Sequence, residues 1–205
     1  MLLSALHGLG VDFSELCAAF ARKHPHLSLK FNPLKISGIV GWQMKSSGFD
    51  ETRWHFPDLP KWLRRVPLSA ASKQKAQKAI DCLIEAEAAV HGVPKVKVHF
   101  HELENLDTLL DIFGYFYGLE KLGVDEVYFS EVPAGRGLIR GAHGEMPNPA
   151  PAVAFLMTGL ESDWRATTAE LVTPTALALL KTSGRQKPPP FTVENWSYAF
   201  GARAS

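Results

Sequence analysis

Between Glu104 and Leu122 the chain places Leu106, Leu110, Phe113 and Tyr117 on one helical stripe and Glu104, Asp107, Asp111, Gly114 and Gly118 on the opposite face. That spacing predicts a helix with one face buried and the other acidic and small. A helix of this kind needs a core around it, and the composition supplies one. Of 205 residues, 46% are hydrophobic and 21% charged, within the range of ordinary globular chains. Twenty-two Lys plus Arg against 21 Asp plus Glu leave a formal charge of +1, which excludes a generally basic chain that grips phosphate backbones. A nucleic-acid partner is therefore not expected. No apolar run approaches the roughly 20 residues of a membrane span, so no membrane partner is expected either. Cys17 and Cys82 make neither a disulfide framework nor a Cys-x-x-Cys pair, which favours a reducing, cytoplasmic setting.

The rest of the chain alternates helical and extended signals. Met1 to Gly10 reads as the body of a helix ending at glycine, with nothing ahead of it to cap it. Asp12 and Glu15 form a capping pair for a second helix, with Val11 stapled onto Leu16 and Cys17 as a core thiol. Leu27 to Lys35 and Ile36 to Met44 read as an antiparallel strand pair, with Pro33 indicating an edge. A short helix is expected over Leu59 to Val66. A long one follows from Ser69 to Val90, with an apolar stripe of Ala76, Ile80, Leu83, Ile84 and Val90 and closure at His91-Gly92. Lys61, Arg64, Arg65, Lys73, Lys75 and Lys78 fall together without an acid among them; this is either a solvated face or a local anion site.

Further on, Lys95 to His101 alternates like a half-buried strand, and Glu126 to Val132 reads as another. Gly135 to Gly144 reads as a glycine-rich turn region, Pro149 to Thr158 and Thr173 to Lys181 as helices, and Thr192 to Phe200 as a last strand. The expected class is α/β or α+β, a mixed sheet flanked by helices in a single main domain.

Chemistry concentrates in three places. His99-Phe100-His101-Glu102 puts two imidazoles on one side of a strand, with a carboxylate at its end. Asp107 and Asp111 follow on the next helix; its dipole accounts for an acid in the first turn but not for Asp111, more than a turn in. This nitrogen and oxygen set, without thiolate, suits Ni, Mn, Mg or Zn. Gly135-Arg136-Gly137 allows close backbone approach to a ligand, and His143 lies between Gly141 and Gly144. Thr173 and Pro174 make a helix entrance of the kind that also receives phosphate. No Gly-x-Gly-x-x-Gly or Walker-type run supports a generic nucleotide-binding module.

The order of these pieces is more specific than any one of them. Ala86-Glu87-Ala88-Ala89-Val90-His91-Gly92-Val93-Pro94 comes first, then His99-Phe100-His101-Glu102 with Asp107 and Asp111-Ile112-Phe113-Gly114. Ala142-His143-Gly144 with Met146-Pro147 and Pro149-Ala150-Pro151-Ala152 comes next, and Glu170-Leu171-Val172-Thr173-Pro174-Thr175 last. Together they resemble the LarC family of nickel insertion proteins, over nearly the whole chain. The resemblance implies a CTP-dependent nickel insertase, a cyclometallase of the lyase class. Such an enzyme forms carbon-nickel and sulfur-nickel bonds in pyridinium-3,5-bisthiocarboxylic acid mononucleotide during cofactor biosynthesis.

On that resemblance, His99, His101 and Glu102 are the expected metal ligands and Asp107, Asp111 and His143 the acid-base residues. Gly135, Arg136, Gly137, Glu170, Thr173 and Thr175 are expected to line the cofactor surface. CTP with Mg or Mn is expected outside this chain, and the partners are the mononucleotide precursor and further copies in a homo-oligomer. Residues 1–205 correspond to the family's N-terminal domain, without its leading strand and glycine-serine turn and without its C-terminal domain. Glu104 and Ala176 stand where glycine is usual, and a histidine-rich loop is reduced to His55. Two readings follow: one part of a split enzyme completed by a separately encoded C-terminal domain, or a non-catalytic metal- or cofactor-binding carrier that keeps the fold.

Overall fold

The computed structural model describes residues 1–48, 54, 58–98, 105–141 and 144–201. Its central helix, α5 (Leu106–Lys121), is buried on more than one side: Leu109, Leu110, Ile112, Phe113, Tyr115, Phe116 and Tyr117 are each at most 3% exposed. The expected two-faced helix is corrected at this point. Gly114 and Gly118 do not face water; they receive α1 (Leu2–Gly8). A Cβ on Gly114 would lie 2.7 Å from Leu3 Cδ2, and one on Gly118 the same distance from Leu6 Cδ1. With no side chain at either glycine, the leucines of α1 rest on the backbone of α5.

The described residues form two compact units. The first takes in Met1–Gln74, Glu104–Val124 and Phe191–Ser205. Besides α1 and α5 it holds α2 (Ser14–Ala21), α3 (Leu59–Arg65) and the hairpin of β1 (Ser28–Ile36) and β2 (Ile39–Ser47). The hairpin forms as expected, with Ile36 opposite Ile39 across Ser37 and Gly38, whose φ values of 49° and 85° suit a tight turn matched to strand twist. β1 lies at the sheet edge, where Pro33 leaves no ladder bond unmade.

Rings link the pieces. His7 stacks on Phe31, Phe31 on Phe13, and Phe13 meets Tyr117 of α5. Phe20 of α2 touches both Trp62 of α3 and Phe113 of α5. The cap of α2 differs from the expected pair. Asp12 accepts from the Ser14 amide at 2.9 Å, but Glu15 reaches Tyr117 and Lys121 instead of turning back.

The second unit takes in Lys75–Leu103 and Asp125–Pro190. Most of α4 (Ala70–His91) belongs to it, buried through Ala79, Ile80, Leu83, Ile84 and Ala86, whereas Val90 is 40% exposed and drops out of the expected stripe. The expected strand at Lys95 begins instead as a 3₁₀ turn, Lys95–Lys97, closed by the Lys97 amide on the Pro94 carbonyl, with Lys95 paired to Glu85. Val96 is 93% exposed there, so its alternation carried no burial.

The single strand expected over Glu126 to Val132 divides into β3 (Val127–Phe129) and β4 (Val132–Ala134). The expected turn region folds as an antiparallel hairpin of β5 (Leu138–Gly141) and β6 (Gly144–Pro147). After α6 (Pro151–Met157) come β7 (Ser162–Trp164), α7 (Pro174–Ser183) and β8 (Gly184–Gln186). β4 pairs parallel with β7, and β3 parallel with β8. Lys181 of α7 donates to the carbonyls of Leu156 and Thr158 and so closes the end of α6.

The mixture of helix and strand is the expected α/β or α+β class. Among the described residues the strands pair two by two, in two antiparallel and two parallel sheets. The expected last strand is a single bridge, Trp42 to Ala199, in an otherwise irregular tail. Among the described residues no helix is long and apolar enough to cross a membrane.

The seat of α1 on α5 makes a direct test. Alanine at Gly118 gains about 1 kcal/mol of helix propensity against a contact that Leu6 can partly relieve, so the net change stays within about 1 kcal/mol. Valine at both Gly114 and Gly118 forces the helices apart and lowers the free energy of unfolding by about 3 kcal/mol, measured by urea denaturation.

Candidate functional site

The expected acid-base pair lies on α5. Asp107 is exposed in the first turn, and its carboxylate accepts from the Thr108 amide at 2.8 Å. Asp111, one turn further, is half-buried, and among the described residues no hydrogen-bond donor reaches its carboxyl. Burial pushes this carboxyl up to about 6; the Met1 α-amino group opposes the shift and Asp107 adds to it. The position explains the burial. Asp111 precedes Gly114 by three residues on the same face, so the helix start that brings Leu3 onto Gly114 also covers Asp111.

The expected cofactor residues lie in the second unit, with Gly135 and Gly137 beside Asn148. Gly135 is buried: a Cβ there would lie 2.3 Å from Asn148 Nδ2 and 2.8 Å from the Ala169 carbonyl. The Arg136 amide donates to the Thr167 carbonyl at 2.9 Å, and its guanidinium side chain is exposed. Gly137 has φ +86°, and its carbonyl accepts from the Asn148 amide at 2.9 Å. Asn148, 7% exposed, also donates through Nδ2 to Ala169 at 3.0 Å. The structure thus joins the 135–137 glycine segment to the 167–169 loop directly, by Arg136 on Thr167, and through Asn148, whose backbone amide meets Gly137 and whose side chain meets Ala169. Sequence reasoning did not single out Asn148; its only signal was its place between Pro147 and Pro149, a turn pattern.

That loop leads through Glu170, which is exposed, to α7. Thr173 caps this helix as expected: its Oγ1 accepts from the Ala176 amide at 3.3 Å, with Pro174 in the first turn. Thr175 lies half-buried in the same turn. His99, His101, Glu102 and His143 fall outside the described residues. Among the described residues no three His, Cys, Asp or Glu gather as a metal site. Burial raises the pKa of both Cys17 and Cys82, as suits inert thiols. A shallow cleft of about 390 Å³ opens elsewhere in the first unit, beside Asp12, Glu15, Tyr117 and Lys121, and holds none of the expected site residues.

With this geometry in place, comparison with known proteins decides the family. The family model described as nickel insertion protein matches residues 1–205. The chain belongs to the nickel insertion protein family. Relatives whose names assign them, provisionally, to nickel insertion occur in Citrifermentans bemidjiense, 37% identical over 99% of this chain and 54% of the relative's length, and in Thermomicrobium roseum, 43% identical over 99% and 51%. A third, from Dictyoglomus thermophilum, is 38% identical over 99% and 54%. The chain spans about half the length of these curated relatives of the nickel insertion family. No solved structure matches it.

Two stability effects follow. A carboxyl raised to about 6 in the folded chain binds a proton more tightly there than in the unfolded chain, where it titrates near 3.8. Its stabilising contribution is therefore full below about pH 4 and is lost as pH rises through about 6. Asp111→Asn removes that loss and raises stability at pH 7 by on the order of 2 kcal/mol, with little gain at pH 4, read from thermal melts at both values. Gly135→Ala separates the two loops and speeds hydrogen exchange at the Arg136 and Asn148 amides by roughly tenfold or more.

Proposed function

We propose that this chain takes part in inserting nickel into pyridinium-3,5-bisthiocarboxylic acid mononucleotide, as one part of an enzyme whose remainder is separately encoded. The family match over residues 1–205 is the observation that carries this reading. Nickel is the substrate to be handed over. His99, His101 and Glu102 hold it with nitrogen and oxygen donors, which bind a divalent first-row ion without the permanence of thiolate. Forming a carbon-nickel bond on the ring releases a proton, and Asp111 takes it.

The raised pKa of Asp111 supports that role, because a carboxylate titrating near 6 is a stronger base than an ordinary one and is still ionised at neutral pH. Asp107 and His143 complete the acid-base group. Gly135, Arg136, Gly137, Glu170, Thr173 and Thr175 receive the mononucleotide, the exposed Arg136 and the α7 entrance meeting its phosphate. CTP with Mg or Mn binds outside this chain. The reaction is of the lyase class and takes place in the cytoplasm.

Nickel binding followed by equilibrium dialysis tests the ligand assignment: His99→Ala with His101→Ala lowers affinity at least tenfold, and unchanged stoichiometry and affinity refute it. Mixing the chain with the complementary polypeptide, nickel, CTP and the mononucleotide yields the nickel product, and Asp111→Asn abolishes that yield while nickel binding persists. Failure of the wild-type mixture, where an intact relative succeeds, favours a non-catalytic carrier.

A further inference from the structure

One aromatic side chain of the second unit stays in water beside the 135–137 glycine segment. Trp164, at the end of β7, is 69% exposed, whereas Trp54 and Trp62 are 5% and 4% exposed. An indole left in water forgoes one of the largest apolar burials that a side chain offers. The parallel register sets Trp164 directly opposite Ala134 of β4, across strands about 4.8 Å apart. Beyond Trp164 the chain keeps hold of the same segment. The Arg165 amide donates to the Ala134 carbonyl at 2.8 Å, the Thr167 amide to the Arg165 carbonyl at 2.8 Å in a three-residue turn, and the Arg136 amide to the Thr167 carbonyl at 2.9 Å.

These bonds bring Trp164 beside Arg136. Gly135 turns toward Asn148, where a Cβ would lie 2.3 Å from Nδ2, so its neighbours Ala134 and Arg136 fall on the other side, the side of Trp164. The Arg136 guanidinium is exposed, and among the described residues no carboxylate pairs with it; Asp163, next to Trp164, is held by Arg165 at 2.5 Å. An open aromatic face and an open fixed cation thus stand together. Such a pair matches a ligand with a flat ring at one end and a phosphate at the other. The face of an indole attracts cations more strongly than other side-chain rings do and stacks on planar rings in general. A guanidinium forks onto phosphate oxygens. A pyridinium mononucleotide carries both partners, a permanently cationic ring joined through ribose to a phosphate. An acidic peptide or a free phosphate would engage Arg136 and give Trp164 nothing to hold.

We propose that Trp164 is a binding residue for the mononucleotide, its indole stacking on the pyridinium ring while Arg136 holds the phosphate. The assignment rests on the mononucleotide reading of this surface and adds to it the group that grips the ring.

Isothermal titration calorimetry of the intact chain with pyridinium-3,5-bisthiocarboxylic acid mononucleotide, and separately with ribose 5-phosphate, tests it. Trp164→Ala weakens mononucleotide binding roughly tenfold and leaves ribose 5-phosphate binding as in the parent chain. Trp164→Phe stays within about threefold of the parent, because an aromatic face remains. Arg136→Ala weakens both ligands. Thermal melts of Trp164→Ala match those of the parent, since the side chain is already in water. Mononucleotide binding that Trp164→Ala leaves unchanged overturns the stacking role and leaves the mononucleotide surface standing. An equal loss in Trp164→Phe, or an equal loss for ribose 5-phosphate, overturns it too. No binding of the mononucleotide by the parent chain overturns both the stacking role and the surface it rests on.

Discussion

The contact between α1 and the glycines of α5 governs the first unit. Leu3 meets Gly114 and Leu6 meets Gly118, so the two helices run side by side in the same direction. Parallel helices gain nothing from their dipoles and are far apart in sequence, so close packing must hold them. The missing side chains provide it. Once α1 is seated, Ser4 accepts from the Met44 amide at 2.9 Å and His7 lies between Phe31 and Trp42, which brings the hairpin down on the same pair. The hairpin in turn holds the tail through Trp42.

The same seat creates the unusual electrostatics. A carboxylate one turn before a helix contact loses water on the side its neighbour covers, and Asp111 is in that position. A polar group brought there without a donor among the described residues costs free energy, whereas most buried carboxylates are compensated by hydrogen bonds. In the second unit the polar groups follow the opposite rule. Asn148 satisfies the Gly137 and Ala169 carbonyls, and Gln186 bonds both the Glu161 amide and carbonyl. In that unit local polar closure between short strands accompanies an apolar core on α4, α6 and α7, whereas the first joins helices distant in sequence by apolar contact.

This difference explains what could be read from sequence. Thr173 with Pro174, Gly92 after His91, and Ser37-Gly38 between apolar runs are local signals, and each marks the end or turn it was expected to mark. Gly114 and Gly118 were legible as small residues but not as a seat, because the leucines that cover them lie about a hundred residues away and periodicity reports only the helix's own side chains. Val96 and Val98 alternate with lysines but sit in and after a tight turn, since a two-residue period over so short a stretch specifies no burial. Of the site, Asp111 was legible as an acid too deep in its helix to serve the dipole. Asn148 was not, because its role depends on two loops that meet only in the fold.

Asp111 bears on the proposed base role. A carrier needs donors that hold an ion or cofactor, and its carboxylates serve best when ionised and hydrogen-bonded. A half-buried carboxyl raised to about 6, with no donor among the described residues, is a poor structural element and an ordinary ligand at best. It is, however, what proton abstraction near neutral pH requires, because the group must be able to hold the proton it takes. Packing Asp111 beside the α1 seat works against stability at neutral pH, and a residue that breaks the local rules of a fold without structural gain is most simply understood as serving chemistry. That consideration agrees with the base role proposed for Asp111; the chain itself spans about half of each longer relative.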